Sequence, residues 1–189
     1  MKRLFAGLLG LALLAGCAPV PVPPLPARDA LRDFAIEARF ALKFALPDGR
    51  QESAGGRLSW THENGMDRVL LANPLGIGLA EIDAAPGRAV LRTGDGKVYQ
   101  AEEPDQLLAE ATGQPLPLSR LPAWLLGRAS PAGTLERDAR TRPLRLQEDG
   151  WLIEYRYDDD NPDALPQQLQ ASGHNIELRL RIETWKSQP

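Results

Sequence analysis

The chain has 189 residues, 43% of them apolar, with 22 basic against 25 acidic residues and a formal net charge of −3. That apolar share supports a sizeable core and excludes disorder throughout, and the acidic balance argues against a general nucleic-acid binder. A single cysteine excludes an internal disulfide or a multi-cysteine metal site, and 17 prolines argue against a long helical bundle.

Lys2 and Arg3 open the chain, and an apolar run follows from Leu4 to Ala15. As a helix, twelve residues at 1.5 Å rise fall short of a hydrocarbon core of roughly 30 Å. Charge, a short apolar run and small residues make the layout of a secretory signal. The run ends in Leu14-Ala15-Gly16-Cys17, which resembles a bacterial lipobox. The resemblance implies cleavage after residue 16 and acylation of Cys17; loss of Lys2 and Arg3 would take the net charge from −3 to −5. Ala18 stands where an aspartate would resemble an inner-membrane retention signal, so the expected destination is the outer membrane. Residues 18–27 hold five prolines in ten, a composition that favours extended polyproline II. Residues 17–27 therefore read as a lipidated tether, and 28–189 as one domain.

Residues 27–37 open with a helical pattern that has Asp29 near its start. From Phe34 a two-residue period takes over: Phe34, Ile36, Ala38, Phe40, Leu42, Phe44 and Leu46 alternate with polar positions. That is a long strand with one apolar and one wet face. Asp48-Gly49 marks a hairpin, and Arg57–Thr61 repeats the alternation. Further strands are expected at 68–72, 79–83, 88–93, 97–101, 144–147, 151–157, 167–171 and 175–185, with glycine-bearing turns between them. A helix over 104–112 starts on Pro104 and stops at Gly113. A second, over 118–126, carries Leu118, Leu121, Trp124 and Leu125 on one side, with Pro122 in its first turn. The fold class is mainly β: one curved antiparallel sheet, with short helices against its apolar face.

Catalytic groups are scarce. His62 and His174 each sit beside a turn and read as solvated. Asp158-Asp159-Asp160 reads as a wet acidic loop, lacking the spacing of an EF-hand. Gly76-Ile77-Gly78 lacks the third glycine of a dinucleotide loop, and no nucleophile elbow is present. No catalytic residue, metal or cofactor is expected. Leu75 and Ile77 are unusual, since they follow Asn73-Pro74 at a turn tip where polar residues are the norm. From composition alone, the loop either folds inward as core or projects as an apolar finger.

Gly56-Arg57-Leu58-Ser59-Trp60, Asn73-Pro74-Leu75-Gly76, Thr112-Gly113-Gln114-Pro115-Leu116-Pro117 and Trp124-Leu125-Leu126-Gly127 resemble the outer-membrane lipoprotein receptor family LolB. So does the stretch from Gly150-Trp151-Leu152-Ile153-Glu154-Tyr155 through Pro166 to Trp185; the likeness runs in order over residues 34–185. Ala38 departs from a glycine common in the family. The resemblance implies an unclosed β-barrel with helices as a lid over an apolar cavity. It implies a non-enzymatic receptor, lipid-anchored on the periplasmic face of the outer membrane. Such a receptor takes acylated lipoprotein cargo from the periplasmic carrier LolA and releases it into outer-membrane lipid. The family's membrane-inserting leucine maps onto Leu75, flanked by Pro74 and Ile77, and its acylated cysteine onto Cys17. Alternation nominates Phe40, Leu42, Leu58, Trp60, Trp151, Ile153, Leu178 and Leu180 as cavity lining, with Leu121, Trp124 and Leu125 from the lid. A monomer is expected. The competing expectations are a structural envelope lipoprotein with a filled barrel, and a hydrolase using an unrecognised acidic site.

Overall fold

In the computed structural model, which describes residues 25–46 and 49–187, the first strand lies at the centre of the sheet. β1 (Phe34–Ala45) pairs antiparallel with β2 (Gln51–Glu63) on one side and with the last strand, β11 (Ile176–Ser187), on the other. From β2 a meander runs outward through β3 (Met66–Ala72), β4 (Gly78–Ala85), β5 (Arg88–Thr93) and β6 (Val98–Ala101). From β11 a second runs through β10 (Gln168–Gly173), β9 (Trp151–Arg156), β8 (Pro143–Glu148) and β7 (Thr134–Arg137). The result is one 11-stranded antiparallel sheet ending on β6 and β7, curled but not closed. A sheet this wide must curl, and inward apolar residues on every other position give it a core to curl around.

Chain order places the lid. Helices α1 (Pro104–Thr112) and α2 (Leu121–Leu125) lie between β6 and β7, the two edges of the sheet. A connection between the edges of an open roll has to cross its opening. α1 starts on Pro104, whose missing N–H is no loss in a first turn, and stops at Gly113, whose φ of 70° donates its N–H to Ala109 O. It buries Leu107 and Leu108 while packing against β5 and β6. α2 buries Leu121, Pro122, Trp124 and Leu125.

The helix read at the opening of residues 27–37 does not form. Residues 28–30 make a turn closed by the Ala30 and Leu31 N–H groups on Ala27 O, and Leu31 is buried beneath it. The single i→i−4 bond from Leu31 N to Ala27 O is not propagated, because the chain becomes strand from Phe34 onward. Strand β7 has no counterpart in the sequence reading, and the helix read over 118–126 is regular only over Leu121–Leu125. Cys17, the signal segment, residues 18–24 and Asp48 lie outside the described residues.

Candidate functional site

The 73–77 loop projects. Leu75 is 87% exposed and Ile77 62%, with Leu70 and Leu79 exposed at its base. The loop is nevertheless ordered by its own hydrogen bonds. Asn73 Oδ1 accepts from the N–H groups of Leu75 at 2.9 Å and Ile77 at 3.0 Å. Asn73 N donates to Ile77 O at 2.8 Å, closing the neck, and Gly76 takes a φ of 87° to turn the chain. Asparagine suits this place because its amide oxygen substitutes for a backbone acceptor. Pro74, following Asn73, is exposed at the start of the tip. The loop base is tight: a Cβ on Gly56 would sit 2.0 Å from Ala72 O, so β2 approaches β3 there more closely than a side chain permits. Of the two options open in the sequence, core or finger, the geometry is the finger.

The eleven residues nominated as cavity lining all lie in one apolar cluster. Leu58, Trp60, Leu121, Trp124, Leu125, Trp151, Ile153 and Leu180 are buried. Phe40, Leu42 and Leu178 are half-buried and pack against them. The division follows the sheet. Leu42 opposes Leu178 and Ala54 at the far half of β1, where the inward side chains are only half-buried, so the inward face is covered at one end and partly open at the other. Under the lid, Trp124 and Leu125 are fully buried and fill the space themselves. The Trp124 ring meets Trp151 at 5.9 Å.

Three polar contacts hold the lid. Tyr155 Oη donates to Trp124 O at 2.8 Å, and burial pushes the Tyr155 hydroxyl pKa far up, so it stays a donor. Arg120, just before α2, donates to the buried Glu148 carboxylate of β8, which also accepts from Ser130 N at 2.9 Å. Burial alone would raise the Glu148 pKa, but the Ser130 N–H and the Arg120 guanidinium outweigh it and hold the carboxyl below its ordinary value. The grip is incomplete: Trp124 Nε1 and Arg120 Nε are buried without an acceptor among the described residues. An unsatisfied buried donor costs about 1–3 kcal/mol, and both lie in the lid, so closure carries a penalty that opening relieves.

His62 departs from the solvated turn expected of it. It is half-buried at the end of β2, its Nδ1 is 2.7 Å from Asp67 Oδ1, and its ring lies 5.3 Å from Phe34. Trp60 Nε1 donates to the same Asp67 oxygen at 2.7 Å, so this carboxylate satisfies a core indole. His174 is exposed, with Nε2 3.1 Å from Asp149 O. The acidic run is taken up by arginines: Arg140 pairs with Asp160 at 2.9 Å, Arg181 with Asp158 at 3.5 Å, and Arg142 donates to Asp159 O at 2.7 Å. No group of three or more His, Cys, Asp or Glu able to hold a metal ion occurs among the described residues. The lid latch, Tyr155 and Glu148, was missed by the sequence reading. A glutamate at an inward position of a strand was its only trace.

An open roll with an apolar inner face, a helical lid across the opening and an ordered apolar finger defines a protein built around apolar surfaces. The family model "Outer membrane lipoprotein LolB" matches residues 32–185. An outer-membrane lipoprotein LolB of Dechloromonas aromatica is 52% identical over 190 residues, covering 100% of both chains. One from Bordetella petrii is 41% identical, covering 90% of this chain and 87% of its own. The chain belongs to the LolB family of outer-membrane lipoproteins. Among solved structures, a putative outer membrane lipoprotein-sorting protein domain from Vibrio parahaemolyticus is similar at 12% identity and a TM-score of 0.46, covering 82% of this chain and 85% of its own. A LolA superfamily protein from Nitrosomonas europaea has a TM-score of 0.44 at 10% identity, covering 82% and 86%.

Proposed function

We propose that the protein is a monomeric receptor, anchored through acylated Cys17 on the periplasmic face of the outer membrane. It accepts acylated lipoproteins from a soluble carrier of the LolA type and passes them into the bilayer. The observation that carries this reading is Leu75: an 87%-exposed leucine at the tip of a self-bonded loop, beside the open end of an apolar sheet face. Nothing in the fold needs that side chain in water.

Acyl chains cannot wait in water. At ~0.8 kcal/mol per methylene, a sixteen-carbon chain represents on the order of 10 kcal/mol. Transfer therefore has to pass from one apolar surface to the next, and a downhill order of affinities gives it direction without nucleotide or bond chemistry. The half-buried Phe40, Leu42 and Leu178 supply the entry, and displacement of Trp124 and Leu125 supplies the volume. The departure of Trp124 is assisted by its unsatisfied buried Nε1 donor. Leu75, worth only ~1.5–3 kcal/mol on burial, is too weak to anchor the protein. Once Cys17 is tethered, it suffices to bring the open end to the membrane.

The filled space beneath the lid favours a second reading, a structural lipoprotein that carries no cargo. One experiment separates the two: transfer of a labelled triacylated lipoprotein from purified carrier to vesicles, with and without this protein and with Leu75→Glu. Transfer that depends on the protein, with Leu75→Glu accepting cargo but stalling on release, supports the receptor. Absence of transfer, together with failure of hydrophobic probes to enter, leaves the structural reading. Normal delivery by Leu75→Glu removes the role of the loop.

A further inference from the structure

The outward face of the sheet carries a feature that neither the core nor the loop requires. Strand register sets Arg57 of β2 opposite Arg39 of β1, and Arg39 opposite Arg181 of β11. Arg181 faces Gln168 of β10, and Gln168 faces Arg156 of β9. One cross-strand row thus reads Arg57, Arg39, Arg181, Gln168, Arg156, with no carboxylate in it. The adjacent row sets Arg179 beside Gln170, Glu154 and Arg145. Like charges directly opposite one another destabilise a sheet, and here three arginines stand in direct succession. Acidic neighbours answer only some of them. Arg39 pairs with Glu183 at 2.7 Å, Arg179 with Glu177 at 2.6 Å, and more loosely Arg145 with Glu154 at 3.4 Å and Glu136 at 3.5 Å and Arg181 with Asp158 at 3.5 Å. No ion pair forms at Arg57 or Arg156 among the described residues. A groove of about 590 Å³ runs over these rows, lined by five of the arginines and by Glu154 as its one carboxylate. This on a chain of net charge −3 is a local inversion of sign.

Its position matters as much as its charge. Arg57 is the register partner of Ala72, the residue immediately before the 73–77 loop. Leu75 lies three residues beyond Ala72, at most ~10 Å of chain. An apolar group buried ~5–10 Å at the headgroup boundary therefore brings the Arg57 row to the depth of the phosphates. Guanidinium groups bind phosphate by paired hydrogen bonds and reach on long apolar stems.

We propose that the arginine row Arg57–Arg39–Arg181–Arg156 is a binding surface for anionic phospholipid headgroups, which orients the protein on the membrane that the Leu75 loop enters. The inference rests on the membrane reading of that loop, and the test keeps the two apart. The mature chain, residues 17–189, carrying Cys17→Ala, which has neither a thiol to acylate nor the apolar signal segment, is floated with phosphatidylethanolamine vesicles and with the same vesicles containing phosphatidylglycerol. Wild-type sequence is expected to bind the phosphatidylglycerol vesicles roughly ten- to a hundredfold more tightly at low salt, a preference erased at ~1 M salt. Arg39→Gln/Arg57→Gln/Arg181→Gln abolishes that preference and leaves the folding transition in place. Arg68→Gln/Arg92→Gln, on arginines paired with Asp83 elsewhere on the sheet, keeps it. Leu75→Gln, which removes the apolar tip without adding charge, lowers binding to both vesicle types alike and leaves their ratio unchanged; if it does not, the loop reading fails while the arginine result stands. Equal binding of wild type to both vesicles overturns the proposal. So does a triple variant that keeps the lipid preference but loses capture of an acidic carrier protein, which would make the row a protein-docking face.

Discussion

The hydroxyl of Tyr155, on β9, donates to the backbone carbonyl of Trp124 in α2 at 2.8 Å, joining the sheet to the lid by one buried hydrogen bond. The same carbonyl accepts from Gly127 N at 2.9 Å, so it stays satisfied when Tyr155 is lost. Tyr155→Phe therefore removes a tie without stranding an acceptor. The expected cost is about 0.5–1.5 kcal/mol of stability. The larger effect falls on the lid. Fluorescence of an environment-sensitive hydrophobic probe should rise in Tyr155→Phe at temperatures where far-UV dichroism shows the sheet intact. A variant that melts earlier with no gain in probe binding would mean that lid and sheet open only together.

Asn73 is expected to set how the finger is presented, rather than whether it is greasy. Asn73→Ala deletes the acceptor for Leu75 N and Ile77 N and leaves the apolar side chains in place. Both N–H groups are exposed and can turn to water, so global stability should move by less than about 1 kcal/mol. Amide exchange at Leu75 and Ile77 should speed up, and delivery of cargo to vesicles should fall, though less than with Leu75→Glu. Unchanged delivery alongside faster exchange would show that apolarity alone suffices.

Gly56→Ala tests the seam beneath that loop. Its Cβ would meet the Ala72 carbonyl oxygen at 2.0 Å, a contact that only backbone movement can relieve. Overpacking of this kind costs roughly 1–3 kcal/mol. The strain falls between β2 and β3, so the melting temperature should drop and the Asn73–Ile77 neck should lose exchange protection. Gly78→Ala, where the added carbon meets nothing within 4 Å, is the matched control and should change little.

What the residues announced, and what they withheld, follows from the range of the interactions. α1 was legible to the residue because Pro104 and Gly113 act on their own backbone. The inward face of β1 was legible because alternation is local, and Leu58, Trp60, Trp151, Ile153 and Leu180 fell inside as their parity required. Leu144 shares the parity of Leu146 yet is exposed, because the β7–β8 pairing slips at Glu136/Arg137. β7 escaped notice because Thr134-Leu135-Glu136-Arg137 holds a single apolar residue and so shows no alternation. Composition alone left the loop open between core and finger, the family resemblance pointed to an exposed finger, and the structure exposes Leu75 on a loop tied by Asn73. His62 read as a turn residue because Asp67 reaches it across the hairpin. The arginine row exists only through register, which brings residues 57, 39, 181 and 156 side by side from four strands.

Glu148 links the lid to acidity. It is buried on β8, accepts from Ser130 N and pairs with Arg120, and its pKa is held below the ordinary glutamate value in the fold. A carboxyl depressed by folding contributes stability that is fully present above its unfolded value. That contribution is lost as pH falls through the depressed one. Wild type should therefore keep its lid through neutral pH and lose it in the acid range, with probe binding rising as pH drops below about 4. Glu148→Gln keeps the shape, removes the charge facing Arg120 and should behave at neutral pH as wild type does in acid. Arg120 is 35% exposed and can turn to solvent, so the expected destabilisation is on the order of 2 kcal/mol rather than the full cost of breaking a buried pair. Thermal melts of both proteins from neutral to acid pH would check this. The two curves should converge at the acid end, and parallel curves would mean that another carboxylate, such as the arginine-paired Asp83 or Asp138, governs the acid response.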